Sequence, residues 1–244
     1  MKNAGLAFAV TLAASLSAAQ SVTAADVSPA TRKYRDYRLV ATEPSFGLAK
    51  VKAIIKAIKP KEQGDGELNA TTDWAKMSTA EKFTYCMLHG EVSTQVCDVP
   101  PWVVGEENKI FGSLSASFSE QSWSDRQRAF LKAERREVVR LMRSTMSRSR
   151  RVGVNLKEAI AQLGLYELIP DLATAYRRDR KDHDILTVML ILMKDGKDIP
   201  FSKTITYRKL YGPDADFTSY IVSNRANQDL VLQRAKAYYQ RRVG

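Results

Sequence analysis

The sequence predicts an all-α fold, an irregular multi-helix domain of antiparallel helical hairpins with no substantial sheet. Three observations predict it. Apolar residues recur at the 3.6-residue helical spacing over most of the chain beyond position 45. Capping-box patterns stand before three of those stretches, at Ser78 with Glu81, Ser124 with Gln127, and Asn155 with Glu158. Gly or Pro lies near almost every join, and such short connections make consecutive helices antiparallel neighbours.

The elements follow in order. Residues 1–24 begin with Lys2, continue as an Ala- and Leu-rich apolar run, and end in small residues at Val22-Thr23-Ala24. This is the pattern of a cleaved secretory signal peptide, with the cut expected after Ala24 and Thr23-Ala24-Ala25 as the neighbouring choice. The apolar run is shorter than the ~20 residues a membrane span needs. No cysteine follows it to carry a lipid anchor. Cleavage would deliver a periplasmic or secreted protein of roughly 220 residues, enough for one large domain or two small ones.

Residues 25–70 form an N-terminal arm. Positions 25–45 lack sustained periodicity and read as extended or loosely helical. "FGLAKVKAIIKAIKP" then gathers Leu48, Val51, Ile54, Ile55 and Ile58 on one helical face, with Lys50, Lys52, Lys56 and Lys59 elsewhere and Pro60 as the stop. "KEQGDGELNATTD" is a polar linker and marks the internal boundary.

Residues 71–244 form the helical domain. A helix opens at Ser78 and closes at Gly90. The longest periodic stretch runs from Asp125 to about Arg148 and places Phe130, Leu131, Val138, Leu141 and Met142 on one face. Another helix runs from Asn155 to a stop at Gly164, and helices follow in "YELIPDLATAYRRD", "DILTVMLILMKDG" and "PFSKTITYRKLYG", then from about Ala226 to Arg241. Only "SKTITYRKL" alternates like a strand, and it has no partner run. The apolar run "ILTVMLILM" is too short to span a membrane and reads as a buried helix. The segment "NLKEAIAQLGLYELIPDLATAYRRD", with its Leu-Gly turn and Ile-Pro at the second helix start, resembles one HEAT-type helical hairpin. The resemblance covers one unit, without a repeat at fixed period elsewhere, so it implies a local helix pairing and not a solenoid.

Both cysteines, Cys86 and Cys97, and one of the two histidines, His89, fall in "AEKFTYCMLHGEVSTQVCDVPPW". A structural zinc site would bring its ligands as close pairs, which are missing here. A thiol nucleophile would need His89 as base and a third group to orient it, yet Cys86 borders an apolar stripe. An even count of two in an exported chain predicts a Cys86–Cys97 disulfide. It would pin a helix–loop corner, with the rigid "DVPPW" holding Trp102 against the helix. No metal or cofactor is expected. In "KDHDIL", one of Asp182 and Asp184 is expected to cap a helix, leaving His183 solvated; the rival reading sets one Asp to orient His183 toward a serine. G-x-S-x-G, H-E-x-x-H, Walker A and G-x-G-x-x-G motifs are all missing, so no catalytic residue is nominated.

Charge is more informative. The formal net charge is +11. Arg128, Lys132, Arg136, Arg140 and Arg143 gather opposite the apolar face of the long helix, which ends in Arg148, Arg150 and Arg151. Arg177, Arg178, Arg180 and Lys181 form a second basic group. A single-sign surface attracts polyanions. Export makes intracellular nucleic acid an unsuitable partner, leaving an anionic envelope polymer or an acidic protein surface. The sequence therefore predicts a soluble, basic envelope protein that binds without catalysis, with no membrane span in the mature chain. Its rival is an exported hydrolase using unrecognised carboxylates or the Cys86–His89 pair.

Overall fold

The computed structural model describes residues 22–59, 68–93, 101–115 and 121–244. Over these the protein is all-α, with eleven α-helices and two small antiparallel strand pairs. Most of the expected signal peptide (residues 1–21), the expected helix stop Pro60 with the first part of the polar linker (61–67), and Cys97 lie outside the described residues.

Ser28 starts α1 (Pro29–Arg38) by accepting the Thr31 N–H at 3.1 Å, with Pro29 pre-set in the first turn. Helix α2 (Leu48–Ala57) lays Val51 against Met77 and Tyr85, with Ile54, Ile55 and Ile58 beside them. The face read from the sequence is the one that packs. Helix α3 (Thr79–Leu88) has the predicted capping box: Ser78 Oγ accepts the Glu81 N–H at 3.3 Å, and Glu81 Oε2 accepts the Ser78 N–H at 2.8 Å. Gly90 follows it, where a Cβ would lie 2.8 Å from the Ser122 carbonyl oxygen. The glycine thus permits a close backbone approach, beside which β1 (Val92–Ser93) pairs with β3 (Gln121–Ser122). Between them, β2 (Lys109–Phe111) awaits a distant partner.

The predicted long helix is two. Helix α4 (Asp125–Ala133) and α5 (Arg135–Ser149) meet at Glu134, whose φ of −91° and ψ of 26° leave the helical region. Next to the break, Arg135 donates to the Leu163 and Gly164 carbonyls at 2.8 Å and binds Glu167. A guanidinium so placed satisfies the orphan carbonyls that end α6 (Val154–Gln162). The third capping signature fails for a related reason. Gly153, not Asn155, is the N-cap of α6. Asn155 lies inside the helix, where its amide binds Thr42 N–H, Thr42 O and Met87 O at 2.8–2.9 Å.

A short 3-10 turn at Tyr166–Leu168 leads into α7 (Ile169–Arg178). Helix α8 (His183–Asp195) is the hub, packing against α6, α7, β2 and the C-terminal helix. Its residues Ile185, Leu186, Val188, Met189, Leu190, Leu192 and Met193 are all buried, as expected of a helix that is apolar all round. Each such side chain contributes ~1.5–3 kcal/mol relative to exposure. The run with strand-like alternation is helical. After α9 (Ile199–Ser202), Thr204 Oγ accepts the Tyr207 N–H at 3.0 Å and starts α10 (Ile205–Tyr211). Ile205 is left 79% exposed, so the alternation reported no buried face. Then β4 (Tyr220–Val222) pairs with β2 in the register Ile110 to Ile221, and α11 (Arg225–Val243) closes the chain against α8. No helix among the described residues is long and apolar enough to cross a membrane.

Candidate functional site

The cysteine–histidine stretch is structural in a different way from the one expected. Cys86 sits on the core face of α3 beside Phe83 and Met87, is 0% exposed, and carries a free thiol. No disulfide is present among the described residues, and Cys97, the expected partner of Cys86, lies outside them. Counting cysteines by compartment carries no information on burial, and Cys86 points into the core. Burial pushes its thiol far above the usual range, with the Glu91 carboxylate adding to the rise. The position therefore cannot supply a thiolate nucleophile at neutral pH. His89 is engaged elsewhere, its Nε2 lying 2.8 Å from Asn69 O. Trp102 meets α1, where the Arg35 guanidinium lies 4.3 Å over its ring. Among the described residues no group of three or more His, Cys, Asp or Glu is placed to hold a metal ion.

Beside Cys86 lies a buried polar knot that the sequence did not signal. Glu91, 0% exposed, receives Arg126 Nη2 at 2.5 Å and Nε at 2.9 Å, Ser124 Oγ at 2.5 Å and Tyr85 Oη at 3.0 Å. Burial works to raise its pKa, but these donors outweigh it and hold the carboxyl below its ordinary value.

A second buried network joins α1, α6 and α8. Lys157, 0% exposed, places Nζ 2.5 Å from Asp182 and 3.8 Å from Asp184. Arg38 reaches Asp184 with both Nε (3.0 Å) and Nη2 (2.6 Å), and Glu106 with Nη1 (3.3 Å). Asp182 holds the N-cap position of α8, but its side chain makes no capping bond; a buried ammonium demands a counter-charge more strongly than an orphan amide demands a cap. Burial pushes Asp182 up to about 6, against the pull of Lys157 and with a push from Asp184. For Asp184, Arg38 and Lys157 overcome burial and hold it below its ordinary value. His183, expected in solvent, is only 8% exposed, and burial lowers its pKa. Its Nε2 lies 2.9 Å from Ser223 Oγ. Helical phase offered a signal for Lys157, which stands three residues after Val154 and three before Ile160, in register with the buried face. Over this network opens a cleft of about 170 Å³ lined by Arg35, Arg38, Glu106, Phe111, Phe217 and Thr218.

The basic residues divide. Arg128 pairs with Asp125 at 3.2 Å, Arg140 with Glu137 at 2.5 Å, and Arg143 with Asp171 at 2.9 Å. Lys132 and Arg136 are exposed and make no ion pair among the described residues. Arg148 donates to Ser45 Oγ at 3.1 Å, and Arg151 donates to the Tyr37 carbonyl while stacking 4.3 Å over the Tyr37 ring. Tyr37 Oη in turn donates to Asp179 at 2.6 Å, just beyond the end of α7. The C-terminal ends of α5 and α7 therefore meet around Tyr37. This brings exposed Arg148 and Arg150 to the same end of the molecule as exposed Arg177, Arg178 and Lys181. Comparison with protein-family models, with curated proteins and with solved structures finds no match to this chain.

Proposed function

We propose that the protein is an exported, basic envelope protein that acts by binding an anionic polymer or an acidic protein surface. The observation that supports this reading most is the meeting of two basic groups, distant in sequence, around Tyr37. The internally paired Arg128, Arg140 and Arg143 contribute little to an external field, because their carboxylate partners neutralise them. Arg150, Arg177 and Arg178 have no such partner among the described residues and lie exposed. Cations placed at the C-terminal ends of α5 and α7 also suit the negative ends of the helix dipoles. Several remain in excess of local acids, so a polyanion finds a field of one sign.

The experiment is retention of the full chain on immobilised polyphosphate across a salt gradient. Replacing Arg150, Arg177 and Arg178 with Gln should lower the eluting salt clearly, while Lys132→Gln with Arg136→Gln should lower it less. Retention should fade as the Debye length shrinks from ~10 Å at 0.1 M to ~3 Å at 1 M. Thermal stability should hardly change in either variant, since exposed charges contribute little to folding. Unchanged elution of the triple variant would refute the basic end as a binding surface.

A further inference from the structure

Ser223 joins β4 to α11, half-buried between exposed Val222 and Asn224. Its backbone is fixed, the N–H donating to Asn108 O at 2.8 Å. Its side chain has two partners, His183 Nε2 at 2.9 Å and Gln228 Nε2 at 3.1 Å. An amide N–H of Gln228 can only donate, so it occupies one lone pair on Oγ and leaves the hydroxyl proton available to His183. The imidazole is buried against the Tyr34 ring at 5.7 Å. That environment keeps it neutral at pH 7, with burial as the first cause, as a general base requires. His183 Nδ1 is buried and makes no hydrogen bond among the described residues, so Nε2 is the ring nitrogen that meets Ser223. In the tautomer with the proton on Nδ1, Nε2 accepts the Ser223 hydroxyl proton. Beyond Asn224, the first-turn amides of Arg225 and Ala226 have no intrahelical carbonyl to bind and open toward solvent.

We propose that Ser223 is a nucleophile activated by His183, and that the pair cleaves small carboxylic esters arriving from solvent. Ser223 Oγ forms a bond to the ester carbonyl carbon as its proton passes to His183 Nε2. The alkoxide leaves as the C–O bond breaks and takes that proton from the imidazolium. Water, deprotonated by the same Nε2, then hydrolyses the acyl-serine, and acid and alcohol are the products. The first-turn amides of α11, which begins two residues after Ser223, would serve as backbone donors for the developing oxyanion. The proposal stands independently of the anion-binding reading, and a chain that ignores polyphosphate can still carry it.

The test is covalent labelling of the full chain by a small fluorophosphonate, in which the Oγ–P bond forms as fluoride leaves, followed by peptide mapping. The label is expected on Ser223 and should vanish in Ser223→Ala. A folded His183→Gln variant should react ~100-fold more slowly or worse, the scale of a lost general base. Because that substitution is buried and can unfold the chain, the wild-type pH profile serves as a second arm. The rate should be flat at neutral pH and fall in acid, below the ordinary imidazole range, as His183 gains a proton. A merely structural hydrogen bond would give no such profile. Labelling of Ser223 no faster than that of other serines, or a rate insensitive both to His183→Gln and to pH, would overturn the proposal.

Discussion

At the scale of single residues, the most consequential side chains are charged ones in places without water. Arg38, Glu106, Lys157, Asp182 and Asp184 are each at most 6% exposed. Each survives there because a partner of opposite sign lies within hydrogen-bonding distance. Asp182 is the weak member. Its folded pKa, about 6, lies above the ordinary 3.8, so the native state holds its proton more tightly than the unfolded chain does. The stability this contributes is complete below about pH 4 and lost as pH rises through 6. Asp184 and Glu91 act with the opposite sign. Their depressed pKa values give stability that is present above the usual carboxylate range and lost as pH falls. Urea unfolding of Asp182→Asn between pH 4 and 7 should therefore show stability rising more steeply with pH than in the wild type. The two curves should diverge by up to about 3 kcal/mol across that window. Parallel curves would mean that Asp182 titrates normally.

At the scale of elements, identical signatures serve different ends. The boxes at Ser78 and Ser124 both cap helices, yet Ser124 Oγ also lies 2.5 Å from buried Glu91, whereas the Ser78 box is exposed. Ser78→Ala should cost about 1 kcal/mol in thermal or chemical unfolding, the usual value of a cap. Ser124→Ala should cost about 2 kcal/mol or more, because a buried carboxylate also loses a donor. Equal losses would mean that Arg126 and Tyr85 satisfy Glu91 without the serine. Asn155 shows the limit of such patterns. Its spacing to Glu158 imitates a cap, but its amide is turned toward Thr42 and Met87, joining the N-terminal arm to α3 and α6. Glu134 is the converse case, an ordinary helix former at which the chain breaks because Arg135 is drawn to the end of α6.

At the scale of the whole molecule, the arm is bound into the body. Arg38 meets Asp184, Thr31 meets Glu107 at 2.7 Å, and Tyr37 meets Asp179, so α1 is held largely by carboxylates from later in the chain. The same contacts assemble the basic end around Tyr37. If the protein is exported as proposed, these contacts form after the leader is removed, and intact-mass spectrometry of the envelope fraction should find a chain beginning near Ala25. A chain retaining Met1 in that fraction would contradict cleavage.

Much of the architecture was legible in the sequence, because helix formation depends on near neighbours. Caps at Ser78 and Ser124, the Gly164 stop with its φ of +58°, and the apolar faces of α2 and α8 are set by residues within a few positions of one another. The three-residue β2 and β4 escaped notice since so short a run shows no alternation, and they pair across the length of the domain. Net charge and its clusters were equally plain, being sums over composition. Only the tertiary structure decided which arginines are neutralised, since Arg143 finds Asp171 on another helix. It alone turned Cys86 inward as a free thiol and His183 toward Ser223, forty residues distant. Such contacts depend on how helices pack, and packing is settled by the whole set of buried side chains acting together, which no local spacing encodes.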